Sequence, residues 1–509
     1  MRRIAVLFSI LVFGAACGTR GDRWSRPLES EGPVAIDGRI VWLDRTLGSI
    51  VWVDPRSSGG PACLPSVEQP RGLAAAGSDA LVVGTEGGAA WLERIPLSGG
   101  APARIALPTA FDRIFVSPDQ SRAVLLHDPS AAPRPGGPSA RNLNELAVVD
   151  LEGRSAERIV LQTSAVAPSG VLFDTAGNLA AVLFDRAVAL VDLRPPVRHI
   201  QVPLRLPTGE PLQMRQAILD PAGANLFLRV AELDEVLALA ISQGPSASVN
   251  FLGPEGGGIL RDIALPSGDG MERRIAALYD GRAVLLDADG DTSRELSVAL
   301  DGAPSVLSDL GDGLLLLHGE ASQRSASRYV AAWDPGSGRL AQDRLEGAIV
   351  APPRVAAGSA YFPHAASASA AALTAITAER GELRLRLRLR PIGLAGVPTS
   401  TAIDAASGRL FLGLEVDREG SGAAPRAPSD DDFSGTTGAL VSLGADDLSI
   451  DGLTLDETIE AVGLIGGSVY ALHPGDHEDL TVVPRDGLNR GSAVRYAGVL
   501  ATGLMGCSR

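Results

Sequence analysis

The feature that most constrains this chain is a recurring hairpin: an apolar strand, a turn rich in Gly, Asp, Pro or Ser, then a second strand. Clear copies run over residues 49–54 before 62–64, 146–150 before 158–161, and 187–192 before 199–202. Ten copies begin near residues 50, 90, 146, 187, 236, 283, 329, 372, 439 and 480. Their mean spacing is about 48 residues, inside the ~40–50 of a repeat that contributes one small sheet to a ring. Each hairpin is preceded by another strand pair, as in 111–119 leading to 122–126, 217–223 with 225–228, and 402–404 with 409–412. Four strands per unit is the content of a propeller blade. The expected fold is therefore all-β, a β-propeller of four-stranded blades. Ten units exceed the usual four to eight blades. An unusually large ring, a ring of seven to ten blades with some partial units, and two rings all stay open. A parallel α/β fold is disfavoured, because no amphipathic helix of ten or more residues separates the strands. The Ala/Ser-rich stretch 365–378 could be read as helix, yet 371–377 fits the third strand of its unit better.

The turns Ser117-Pro118-Asp119-Gln120 and Asp220-Pro221-Ala222-Gly223, each between two apolar strands, resemble those of the YVTN and TolB-type (PD40) repeats. The resemblance covers residues 33 to about 505 and implies architecture only. Two spacings between units are long. They contain low-complexity insertions at 129–142 and 417–438, the second carrying Ser429-Asp430-Asp431-Asp432, and both are expected to be loops between strands.

The first sixteen residues read as a processing segment. Arg2 and Arg3 precede an uncharged run over 4–16. As a helix that run would span roughly 20 Å, too short for a hydrocarbon core of about 30 Å. It ends in Gly14-Ala15-Ala16-Cys17, which resembles the lipobox of bacterial lipoproteins, although Gly14 stands where that family usually has Leu. The resemblance implies a signal peptide over 1–16 and a lipid on Cys17; residues 17–32 then read as a polar tether and 33–509 as the propeller. The protein is then expected in a bacterial cell envelope, lipid-anchored at the outer membrane or the periplasmic face. Every one of the 45 basic residues is Arg, which fits a GC-rich bacterial genome. The net charge of −15 argues against nucleic acid and against broad adsorption to anionic membranes. Export also means an oxidising compartment, where the two remaining cysteines can pair. Cys63 falls in the fourth strand of the first unit and Cys507 follows the fourth strand of the tenth. Both are outer positions on units that become neighbours only if the ring closes, so a Cys63–Cys507 disulfide with Cα atoms about 4.4–6.8 Å apart is expected.

Four segments could carry chemistry. His473-Pro-Gly-Asp476-His477-Glu-Asp479 has donors for a transition metal but sits where the repeat demands a turn. Asp287-Ala-Asp289-Gly-Asp291 is similar to a calcium loop, yet its glycine comes early and position twelve is Val298, so an acidic hairpin tip is favoured. Gly253-Pro-Glu-Gly256-Gly-Gly258 lacks the strand–loop–helix setting of a phosphate site and reads as a connection. In 383–390 leucine alternates strictly with Arg384, Arg386, Arg388 and Arg390. One strand face is then leucine and the other arginine. That face suits an anionic glycan or an acidic partner, and arginine on an outer strand also blocks edge-to-edge pairing. No Gly-x-Ser-x-Gly, His-Glu-x-x-His or Cys-x-x-Cys occurs. The expectation is a non-enzymatic, lipid-anchored propeller without metal or cofactor that binds a protein or an envelope polymer. The alternative is a propeller enzyme, such as a lactonase or a quinone-dependent dehydrogenase, which would gather carboxylates or histidines near the ring axis.

Overall fold

The computed structural model describes residues 28–57, 59–131, 142–161, 167–242, 246–268, 270–271, 273–292, 295–321, 328–349, 351–356, 358–365, 371–381, 384–394, 396–416, 437–444, 449–474, 478–504 and 507. Ten antiparallel sheets follow one another along the chain. They form blades 1 to 10 of a single propeller ring, over residues 30–65, 69–107, 113–160, 170–203, 214–252, 260–299, 306–344, 348–393, 397–455 and 461–496. Nine have four strands in simple meander order; blade 8 gains a fifth because two short segments, Ala348–Ile349 and Arg354–Ala356, both pair with Ser359–Ala365. All ten units read from the sequence are blades, so the ring is the large one and the two-ring alternative is set aside. The first strand begins at Ser30. The two insertions lie between the second and third strands of blades 3 and 9, and 132–141 and 417–436 fall outside the described residues. So do Cys17 and all of residues 1–27.

Burial explains why these strands read as they do. A blade is sandwiched between two others, so its middle strands are covered on both faces and become continuous apolar runs. Arg39–Asp44 (RIVWLD) and Leu314–His318 (LLLLH) are examples, the latter buried at every position. Outer strands face solvent and mix polar with apolar residues, as in Ser155–Val160 (SAERIV). Among the described residues the core is ten separate apolar clusters, one in each gap between neighbouring blades. The cluster that closes the ring joins Trp42, Val51 and Val53 of blade 1 to Leu480, Val482 and Tyr496 of blade 10.

Blades 1 and 10 are each built from consecutive strands, so no strand is exchanged between the termini. Closure uses the chain end instead. After the last strand, Val494–Tyr496, the chain turns at Gly498, whose φ of +60° favours glycine. Val499 and Leu500 then bury themselves in the closing cluster, and the helical turn Ala501–Leu504 packs on the third and outer strands of blade 1. Cys507 and Cys63 form a disulfide with Cα atoms 5.3 Å apart, within the expected window.

Candidate functional site

The alternating arginine strand is the outer strand of blade 8, Leu385–Gly393. It pairs in continuous register with Ala371–Arg380, the longest strand described, which confirms 371–377 as strand. Leu385, Leu387 and Leu389 pack into the cluster shared with blade 7. Arg384, Arg386, Arg388 and Arg390 are exposed. Successive arginines on one strand face are about 7 Å apart, so the four extend over roughly 20 Å. Arg388 forms an ion pair with Glu379 at 3.0 Å, half-exposed on both sides. The hairpin leans on blade 7 through Arg380, which donates to Asp334 at 2.9 Å, and through Arg339, which donates to the Gly381 carbonyl at 2.9 Å. Its leucine row and these two contacts hold the strand, which leaves the arginine row as a fixed cationic surface.

The other candidates are structural. His473 is buried, and both ring nitrogens are in use: Nδ1–H donates to the Thr458 carbonyl and Nε2 accepts from the Thr481 hydroxyl, each at 2.8 Å. It borders an open cleft of about 200 Å³ between blades 9 and 10, whose charges pair among themselves, Arg490 with Asp456 and Arg495 with Glu457 and Asp479. Asp479 also accepts from the Gly498 amide at 2.6 Å, while Asp476 and His477 lie outside the described residues. In the acidic tip, Asp287 accepts from the Asp289 amide at 3.0 Å and Asp289 pairs with Arg273, which makes a turn. The glycine-rich segment joins blades 5 and 6, and its Glu255 and Gly257 carbonyls accept from Arg282. Among the described residues no three His, Cys, Asp or Glu side chains converge closely enough to hold a metal ion.

The structure also shows polar groups that sequence reasoning missed. Polar groups on or beside the inner strands stitch many of the blades to their neighbours. Glu31 of blade 1 accepts from the Leu73 amide of blade 2 at 3.3 Å, and Arg71 of blade 2 pairs with Asp112 of blade 3 at 2.8 Å. Arg113 donates to the Ser169 carbonyl, Gln216 to the Ile263 carbonyl, and the Leu307 amide donates to Asp262. Arg354 donates to Thr401, Val462 to Ser400, and Ser30 to Glu478 across the closing seam. Several of these groups lie in or just after β-bulges, at 70–72, 214–216, 260–262 and 398–400, where the inner strand leaves regular register. Four of the six histidines, His127, His318, His364 and His473, are buried at the end of the second strand in blades 3, 7, 8 and 10. The available signal was that shared position in the repeat.

No protein-family model and no curated protein matches the sequence. Solved structures match the chain at low identity. One is the dihydro-heme d1 dehydrogenase NirN in complex with DHE, 13% identical over 84% of this chain and 76% of that one, with a TM-score of 0.43. Another is the Cps50 (Swd1) β-propeller domain of Myceliophteria thermophila, at 11% identity over 72% and 94%, with a TM-score of 0.35. Apo AztD from Citrobacter koseri gives 13% over 63% and 86%, with a TM-score of 0.34.

Proposed function

We propose that this protein is a lipid-anchored binding or scaffold propeller of a bacterial cell envelope, and that the arginine face of blade 8 engages an anionic protein or envelope polymer. The observation that carries the reading is the row of four exposed arginines on a strand whose opposite, leucine face is fixed in the core. Arginine offers planar paired donors that match carboxylate and phosphate groups, and a row about 20 Å long fits a repeating anionic chain better than a small metabolite. The anchor rests on Gly14-Ala15-Ala16-Cys17. The test uses capture on immobilised alginate, a carboxylated polysaccharide. Changing Arg384, Arg386 and Arg388 to Gln is expected to weaken capture and flatten its salt dependence, and unchanged capture would leave the arginines only an edge-protecting role. For the anchor, Cys17→Ser is expected to shift the protein out of the membrane fraction or to stop its processing. Native protein that is freely soluble, with an unmodified N-terminus elsewhere, would contradict it.

A further inference from the structure

Eight of the ten outer strands carry a charged residue or a proline, the devices that discourage edge pairing. One of the other two, Leu296–Ala299 of blade 6, has only four residues. The exception is the outer strand of blade 5, Ser246–Leu252 (SASVNFL), which has neither charge nor proline. It pairs along all seven residues with Val236–Ser242, and among the described residues no strand covers its outer edge. Val249 and Phe251 on it remain 43% and 38% exposed. They stand opposite Leu239 and Leu237, which are buried in the cluster shared with blade 4, so the exposed pair extends that apolar row to the rim.

We propose that this edge accepts an extended peptide of another protein by β-strand addition, with apolar side chains at alternate positions beside Val249 and Phe251. A free edge presents a row of backbone donors and acceptors that another strand satisfies, and alternate pockets select its side chains. A second copy of the chain is the poorer occupant. One strand pair with two exposed apolar side chains falls short of the ~1,200 Å² that stable dimers bury, and each copy carries a net charge of −15. Glu235 lies against Gly253 and Glu255 follows two residues on, against one cation there, Arg282 on the Glu255 and Gly257 carbonyls, so the Leu252 end of the edge favours a basic residue in the partner. This surface is separate from the arginine face of blade 8 and does not depend on it.

The probe is a fluorescent nonapeptide of alternating Val and Thr with an Arg at each end. Its control is the same peptide N-methylated along the backbone, which keeps charge and side chains but removes the donors. The expected result is saturable binding with slowed amide exchange confined to Ser246–Leu252, weakened at least tenfold both by N-methylation and by Val249→Arg/Phe251→Arg. Near-UV circular dichroism checks that the double variant folds, and the N-methylated arm needs no variant. Absence of saturable binding, or equal binding by the N-methylated peptide, overturns the proposal. So does a wild-type dimer in sedimentation that the double variant dissolves, since the occupant would then be a second copy.

Discussion

Arg71 and Asp112 show what a single pair does in this ring. Their side chains are about 5% exposed and meet at 2.8 Å between blades 2 and 3, and Asp112 also accepts from the Asp128 amide at 3.0 Å. Removing one partner of a buried pair strands the other charge away from water, at a cost of about 3–5 kcal/mol. Asp112→Ala is therefore expected to lower stability by that order in urea unfolding, and Arg71→Leu/Asp112→Leu by less than the single change. Equal losses would mean the pair acts only by packing. His318 illustrates a second residue-scale effect. Burial pushes its pKa down, against a smaller opposing contribution from the Gly319 carbonyl, to which its Nδ1–H donates at 2.8 Å. The unfolded chain then binds the proton more readily than the folded one, so the stability tied to neutral His318 is present above about pH 6.5 and declines as pH falls below it. His318→Gln should lose less stability than the natural protein between pH 7.5 and pH 5 in parallel urea titrations. An unchanged difference would assign the acid sensitivity to other groups.

At the scale of elements, the outer strand of blade 8 separates packing from binding. Its leucine row is in the core and its arginines are outside, so the Arg384, Arg386 and Arg388 to Gln triple is expected to leave the melting temperature nearly unchanged. Each exposed charge contact contributes roughly 0.2–1 kcal/mol, so three together set an expected capture loss of about 3- to 150-fold at low salt. A large drop in melting temperature would instead place these side chains in the packing. The same element shows what the sequence could convey. Its alternation was readable because a strand has period two, and the ten third strands were readable because burial on both faces makes them apolar runs. The stitches at Arg71, Gln216 and Asp262 were not readable. A bulge is a local change of backbone register, and nothing in residue order marks which inner-strand polar group reaches the next blade. Turn contacts between blades escaped for the same reason: Gly223, at φ +70°, lies so close to Asp174 of blade 4 that a Cβ there would come within 2.9 Å of it.

For the whole molecule, stability is distributed over ten inter-blade gaps, and only the last brings together parts of the chain remote in sequence. Neighbouring blades are tethered by short connections, so their packing is local, whereas blades 1 and 10 meet only after everything between them has folded. The Cys63–Cys507 bond closes a loop over a sequence separation of 444 residues, for which chain entropy alone gives about 6 kcal/mol. Without strand exchange at the termini, the seam is held by the apolar cluster of blades 1 and 10, the Ser30–Glu478 hydrogen bond, the Val499–Leu500 anchor and this bond. Reduction is thus expected to destabilise blades 1 and 10 first, seen as faster proteolysis at the two chain ends. The most direct test of the closed ring is peptide mapping by mass spectrometry of the natural protein, digested without reductant after blocking free thiols. The account predicts one cross-linked pair joining the peptide that contains Cys63 to the peptide that contains Cys507, and recovery of both cysteines with blocked thiols would contradict it.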